Sequence, residues 1–209
     1  MKAEWGARNS ECGMQNEAHT RPAHAATRAR LPASPTPHPE RPIPHARPLL
    51  VLCGVAGSGK TAVGQRVADR LGLPFFDADD AHPPANVARM RAGTPLTDAD
   101  RAPWLAALTA RLGAWACEDT GGVLACSALR AAYRDSLRAG APRLRFVLLT
   151  APPTTLGERL SARRGHFFPP ALLASQLAAL EPGPDVEPVA TDGRTVGEVA
   201  DEVVRLLAA

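Results

Sequence analysis

From residue 49 onward, apolar and polar positions follow two alternating periods. Leu49-Leu50-Val51-Leu52-Cys53 is a continuous apolar run, the pattern of a strand buried on both faces. Val63, Val67 and Leu71 then recur at helical spacing up to Gly72, which predicts a helix over about 60–71. A short second strand follows, Pro74-Phe75-Phe76-Asp77, and then a short helix to about Arg91, ended by Gly93. Thr97-Asp98-Ala99-Asp100 reads as a capping box, opening a long helix whose Trp104, Leu105, Leu108, Leu112 and Trp115 form one core stripe. Gly121-Gly122 turns into a third strand, Val123 to Ser127, and a helix carrying Tyr133, Arg134 and Asp135 ends near Gly140. Leu144 to Leu149 is the fourth strand, and a helix starts at about Pro153. Gly165-His166-Phe167-Phe168-Pro169-Pro170 breaks that helix, and Ala171 to Leu180 form another. A weak fifth strand over Glu187 to Ala190 precedes a last helix, capped by Thr195-x-x-Glu198, with Val196, Val199, Val203 and Leu206 toward the core. Repeated strand–helix alternation implies an α/β fold: a parallel sheet covered on both faces, with ligands beyond the carboxyl ends of its strands.

Residues 1–47 break this pattern. Prolines cluster from Pro32 to Pro48 among His, Arg and Ala, with almost no aliphatic periodicity. Such a stretch cannot bury enough surface to offset its ordering entropy, so a disordered extension over 1–47 and one folded domain over 48–209 are expected. A translated upstream region without a role is the favoured account; a functional tail is a second. A transit peptide is disfavoured by Glu4, Glu11, Glu17 and Glu40, and no apolar stretch suits a secretory signal. The histidines His19, His24, His38 and His45 read as solvated.

Composition narrows the classes. The formal charge is only +3 on 209 residues, and the basic residues are spread along the chain, so nucleic-acid binding has no support. No apolar run approaches the length of a membrane span. Cys12, Cys53, Cys117 and Cys126 lack metal-ligand spacing; Cys53 and Cys126 fall in strand-like runs and read as buried free thiols, which fits a reducing, cytoplasmic setting.

Between the first strand and the first helix lies Gly54-Val55-Ala56-Gly57-Ser58-Gly59-Lys60-Thr61, which fits the phosphate-binding pattern G-x-x-x-x-G-K-[ST] at every fixed position. Its context, strand before and helix after, brings backbone N–H groups and the positive end of a helix dipole to one concavity. A nucleoside triphosphate suits that cup, with Lys60 on the β/γ-phosphates and the Thr61 hydroxyl on Mg²⁺. Lys2 and Lys60 are the only lysines among 24 basic residues, so in the folded part lysine appears only in this loop.

A phosphotransferase needs three things more: a carboxylate near the acceptor hydroxyl, support for a metal ion, and positive charge on the migrating group. Asp77 and Asp79 follow the second strand, two residues apart, beside the loop; strand geometry would point both to one side. One can hold Mg²⁺ through water while the other takes the acceptor proton, although acidic residues after a strand are also turn formers. Asp80 is the bystander. Ser127 ends the third strand on the same rim. Arg159 and Arg163 share a helix face leading into the Gly-His-Phe-Phe break, which reads as a lid hinge delivering charge to phosphates; a solvated basic face competes with that reading. His82, held by two prolines, suits a polar substrate or a structural role, and Arg89, Arg101 and Arg134 are further candidates for an anionic acceptor.

These residues resemble the gluconokinases, a family of P-loop small-molecule kinases. The resemblance is carried by the loop at 54–61, by Asp77-Ala78-Asp79 with His82-Pro83, and by Asn86-x-x-Arg89-Met90. It continues through Gly93-x-Pro95-Leu96-x-Asp98-x-Asp100-Arg101-x-Pro103-Trp104-Leu105, Cys126-Ser127-Ala128-Leu129, Tyr133-Arg134-Asp135 and Arg163-x-x-His166-Phe167-Phe168. It covers nearly all of 49–209 and implies ATP-dependent phosphorylation of the 6-hydroxyl of D-gluconate, with Mg²⁺. It also implies a five-stranded parallel sheet of order 2-3-1-4-5 with a small lid, and a homodimer. By the same resemblance Lys60 and Arg163 would touch the phosphates and Arg159 would lie against the adenine. Asp79 would meet the acceptor hydroxyl and Asp77 the metal. His82, Arg89 and Arg134 would line the sugar-acid pocket, with Arg89 standing where lysine is expected. A carboxylate with many hydroxyls suits an arginine fork and polar side chains.

Three rivals differ in class. A kinase for another polyhydroxy acid such as shikimate would share the Asp-x-Asp but not the His82-Pro83 and Pro103-Trp104 blocks. A GTP-binding switch would need an Asn-Lys-x-Asp reader, which the sequence lacks. A non-catalytic nucleotide-binding module would have no need of Lys60, Thr61, Asp77 and Asp79 together.

Overall fold

The computed structural model describes residues 47–162 and 172–208. Five strands form one parallel sheet in the order β2-β3-β1-β4-β5: β1 Leu49–Cys53, β2 Phe75–Asp77, β3 Gly122–Ala125, β4 Arg145–Thr150 and β5 Glu187–Ala190. The helices are α1 Lys60–Leu71, α2 Pro84–Arg91, α3 Asp98–Cys117, α4 Ala131–Gly140, α5 Pro153–Ala162, α6 Leu173–Ala178 and α7 Val196–Ala208. A 3-10 turn, Ala78–Ala81, follows β2.

β1 is central, and all five of its residues are buried, as its unbroken apolar run requires. Its side chains divide the core. Leu49, Val51 and Cys53 join the α3 stripe of Trp104, Leu105, Leu108, Leu112 and Trp115, together with Leu137 of α4 and Phe146 and Leu148 of β4. Leu50 and Leu52 join Val63, Val67 and Ala68 of α1, Val199, Ala200 and Val203 of α7, and Val147 and Leu149 of β4. A third, smaller cluster holds Val55, Leu129, Leu156, Leu160 and Leu173, so α5 and α6 pack directly beneath the loop that leaves β1.

The expected caps form. Thr97 and Asp100 exchange both bonds of the capping box at α3, and Thr195 and Glu198 exchange theirs at α7. Gly72 closes α1 at φ 61° with its N–H on the Ala68 carbonyl. Two details differ from the sequence reading. Val196 is 41% exposed instead of facing the core, because it is the first residue of α7 and precedes the turn that reaches the sheet. β3 begins one residue early, at Gly122, whose N–H bonds the Pro48 carbonyl, and it ends at Ala125, so Ser127 stands two residues beyond the strand instead of ending it. The tail, Cys12, the segment 163–171 and the break predicted at 165–170 lie outside the described residues.

Gly122 sets how closely α3 lies on the sheet. A Cβ built there would fall 2.3 Å from the Trp115 ring. A backbone and an indole both held in a packed core cannot yield that distance without repacking. Gly122→Ala should therefore lower stability by about 2–3 kcal/mol in chemical denaturation. A change below about 0.5 kcal/mol would show that the helix shifts freely.

Candidate active site

The carboxyl ends of β1, β2 and β3 meet at one rim, and a cavity of about 280 Å³ opens there. Its wall includes the loop residues Ala56, Gly57, Gly59, Lys60 and Thr61, then Asp77, Asp79 and His82, then Arg101 and Trp104 of α3. Ser127, Arg159 and Gln176 complete it.

The loop leaves β1 at Gly54, whose φ of 138° excludes ordinary side chains. Space excludes them too, since a Cβ would lie 2.6 Å from the Leu149 carbonyl. Its N–H bonds the Ser127 carbonyl at 3.2 Å, which ties the loop to the end of β3. Gly57 and Gly59 continue the turn at φ 83° and 95°. α1 starts at Lys60, so the loop's N–H groups and the helix N-terminus face the same hollow. Ser58 Oγ, fully buried in the loop, has no partner among the described residues. The cradle therefore fits a phosphate group in both shape and hydrogen-bonding capacity.

Lys60 reaches back so that its Nζ donates to the Val55 carbonyl at 3.1 Å. Burial lowers its pKa, opposed by the nearby carboxylates of Asp79 and Asp77. A desolvated ammonium between a phosphate cup and two carboxylates is a charge waiting for an anion. Thr61 Oγ1 donates to Asp77 Oδ2 at 2.7 Å. A hydroxyl and a carboxylate at that distance are hard oxygens suited to Mg²⁺. Among the described residues there is no cluster of three or more His, Cys, Asp or Glu that could hold a metal ion. The donor set thus fits a cation held jointly by these two oxygens and by phosphate.

Asp77 is also the turn former that its position allowed. Its Oδ1 accepts the Asp79 N–H at 3.1 Å and caps the 3-10 turn. Strand geometry therefore stops at Asp77, contrary to the expectation, yet Asp77 and Asp79 still line the same cavity. His82 stacks on Trp104 with ring centroids 4.4 Å apart and planes 8° from parallel. Trp104 Nε1 donates to the Ala78 carbonyl at 2.7 Å, which fixes α3 against the turn that carries Asp79. Burial, assisted by the Arg101 charge, depresses the His82 pKa to about 4, so the imidazole is neutral at pH 7. Its Nδ1 is buried without a partner among the described residues.

The arginines fall out differently from the sequence reading. Arg134 is 2% exposed and belongs to the core, not to the pocket. Its Nε and Nη2 hold Asp185 at 2.6 and 3.0 Å, and its Nη groups also donate to the carbonyls of Ala128, Leu129 and Glu181. That fork ties the strained turn at Ala128, φ 38°, to residues 181–185. Arg89 is exposed on α2, pairs with Asp100 at 3.2 Å and does not line the cavity. Arg159 does line it: Nη1 and Nη2 bond Thr191 at 2.9 and 2.8 Å, and Nη1 lies 3.4 Å from the Gly57 carbonyl. Arg163 lies outside the described residues. Two polar cavity residues were missed. Gln176 Oε1 accepts the Ala56 N–H of the loop at 2.6 Å, and Ser175 stands beside it. A glutamine in a short helix carries no spacing signal that would have marked it.

Because His82 is neutral in the fold but takes a proton below pH 6.5 once unfolded, the unfolded chain binds more protons between pH 6.5 and 4. Stability should thus fall as pH drops through that window. His82→Gln should flatten the slope there and leave it unchanged above pH 7.5. Identical slopes for both proteins in urea titrations would refute the depressed pKa.

Similarity to known proteins gives the family. A family model described as an AAA domain, AAA_33, matches residues 49–182. The chain is 48% identical over 155 residues to a gluconokinase of Gluconobacter oxydans, covering 74% of this chain and 85% of that protein. Among solved structures it is similar to a sugar kinase from Janibacter, with TM-score 0.73 and 41% identity over 78% of this chain and 95% of that one. It is also similar to a gluconokinase from Sinorhizobium meliloti, with TM-score 0.70 and 41% identity over 78% and 93%.

Proposed function

The chain belongs to the gluconokinase family, and on that premise we propose that its cavity transfers the γ-phosphoryl group of ATP to the 6-hydroxyl of D-gluconate. The observation that carries this reading is the meeting, in one cavity, of the phosphate cradle and of the acidic turn at Asp77 and Asp79 with the His82–Trp104 wall. Kinase chemistry of this kind is positioning plus electrostatics, and each part has a residue.

The loop amides from Gly57 to Thr61 and the Lys60 ammonium would hold the β- and γ-phosphates, and Arg159 would lie on the nucleotide side. Thr61 and Asp77 would hold Mg²⁺, already 2.7 Å apart through their own hydrogen bond. The chemistry such an ion would supply there is positive charge against the negative charge that develops on the phosphoryl group. Asp79 would accept the proton of the 6-hydroxyl as its oxygen bonds to phosphorus and the bond to ADP breaks. Neutral His82 would line the pocket on the side of the sugar hydroxyls. Arg163 is the proposed second cation on the phosphates, on the resemblance alone. The catalytic unit would lie within 48–209, a reading supported by the family match over residues 49–182. Among the described residues no helix is long and apolar enough to cross a membrane. A cytoplasmic homodimer using Mg²⁺ completes the proposal, supported by the family resemblance and by free Cys53 and Cys126, whose thiol pKa values burial raises.

The test is ADP release from Mg-ATP with D-gluconate, shikimate, D-glucose, glycerate and AMP offered singly. Turnover with gluconate alone is expected; turnover with another acceptor, and none with gluconate, would overturn the substrate. Lys60→Ala should lower kcat about 10²–10³-fold in a folded protein, and near-normal turnover would remove the loop from the mechanism. Asp79→Asn should reduce kcat far more than it raises the KM for ATP. Asp77→Asn should shift the Mg²⁺ requirement to higher concentration. Exchanged phenotypes would exchange the two roles.

A further inference from the structure

A gluconate site must hold a carboxylate; by spacing Arg89, Arg101 and Arg134 were candidates for that task, and the family resemblance pointed to Arg89 and Arg134. The structure separates them. The Arg134 guanidinium is enclosed by Asp185 and three backbone carbonyls, and Arg89 lies outside the cavity against Asp100. Among the described residues, Arg101 and Arg159 are the arginines that line the cavity, and Arg159 is held on the nucleotide side by Thr191 and Gly57.

Arg101 lies one turn before Trp104 on α3, so both present to the same side. Trp104 stacks on His82, and His82 follows Asp79 on the acidic turn. Asp79, the stacked His82–Trp104 pair and Arg101 thus line one cavity. Arg101 Nη1 donates to the Leu96 carbonyl at 2.7 Å and to the Tyr133 hydroxyl at 3.3 Å, with Asp98 at 3.7 Å. Its Nε and Nη2 make no hydrogen bond among the described residues. One edge of the fork is anchored and the other is open, the preorganised state that binds a carboxylate in two parallel bonds.

We infer that Arg101 is the specificity-determining residue for the sugar acid: it takes the carboxylate at the end of the pocket away from Asp79, so that the far hydroxyl of the chain is the one presented for phosphorylation. The inference rests on the proposed gluconate kinase activity. It assigns the group that distinguishes an aldonic acid from a neutral polyol of the same length.

The test compares gluconate with D-glucitol, which replaces the carboxylate by a neutral carbinol, in the wild type, Arg101→Gln and Arg101→Lys. Gluconate is assayed for KM, and D-glucitol for its competitive inhibition constant against gluconate. Arg101→Gln should raise the gluconate KM about 100-fold, the loss of a charge-assisted pair, while the glucitol constant and the KM for ATP change less than about threefold. Arg101→Lys should restore part of the gluconate affinity. Two results would overturn the inference: an unchanged gluconate KM in Arg101→Gln, or equal weakening of gluconate and glucitol, which is what a purely structural Arg101 predicts. If Arg101→Gln does not fold, Arg101→Lys decides by the same comparison, with selective loss of gluconate supporting the inference and parallel loss opposing it. Failure of the wild type to phosphorylate gluconate at all would instead count against the activity on which the inference rests.

Discussion

No side chain can stand at residue 54, and much of the site follows from that. The central strand is buried on both faces and ends against the Leu149 carbonyl, so the chain must turn away with φ 138° in a space that admits no Cβ. The turn it makes there is the phosphate cradle. Three constraints then hold the cradle: the Gly54–Ser127 backbone bond ties it to β3, the small cluster around Val55 and Leu156 supports it from below, and Gln176 bonds Ala56 from the side. A cup made of backbone N–H groups is useful only if it keeps its shape when empty. Here packing beneath the loop contributes to its shape.

The charges follow the same logic. Lys60 is desolvated between two carboxylates, Asp77 is committed to Thr61 and to the Asp79 N–H, and His82 is pressed flat on Trp104 and kept neutral. In water each of these groups would be screened. At the rim of a buried parallel sheet the local dielectric is low, so a phosphate entering the cup interacts strongly with Lys60 and with the aligned amides. Asp77 illustrates how closely structure and chemistry are combined. As a cap it starts the 3-10 turn that aims Asp79, and through its other oxygen it meets Thr61. Turn former and metal ligand were competing readings of that residue, but its geometry is compatible with both.

The elements were legible because their signals are periodic and local. The unbroken run at 49–53, the α3 stripe from Trp104 to Trp115 and the Thr-x-x-acid caps each state their own geometry within a few residues. The loop was legible because its glycines answer to backbone requirements that no other residue meets. The arginines were not legible. Arg89, Arg101 and Arg134 lie in similar local sequence, and what separates them is a partner that sequence spacing does not reveal. Arg134 finds Asp185, 51 positions away, and Arg101 finds Tyr133, 32 away. A long side chain with five donors can serve as a core staple or as a ligand, and only its neighbours decide which. Gln176 escaped for the same reason, since its partner Ala56 is 120 residues distant.

The distribution of the two cations along the chain then acquires a physical meaning. Arginine is used for the buried staple at Arg134, for the clamp of Arg159 on Thr191, for the surface pairs with Asp98 and Asp100, and at Arg101 on the cavity wall. All of these want a planar group that holds two partners at fixed angles. Lysine is kept at residue 60, where a compact charge on a flexible stem sits in the phosphate cradle and donates to the Val55 carbonyl. A guanidinium there would carry more donors than the cup has acceptors and would need to be moved as a rigid plane. An Arg-rich chain that retains one lysine in its folded part thus sets its one flexible point charge in the phosphate cradle and uses planar forks around it.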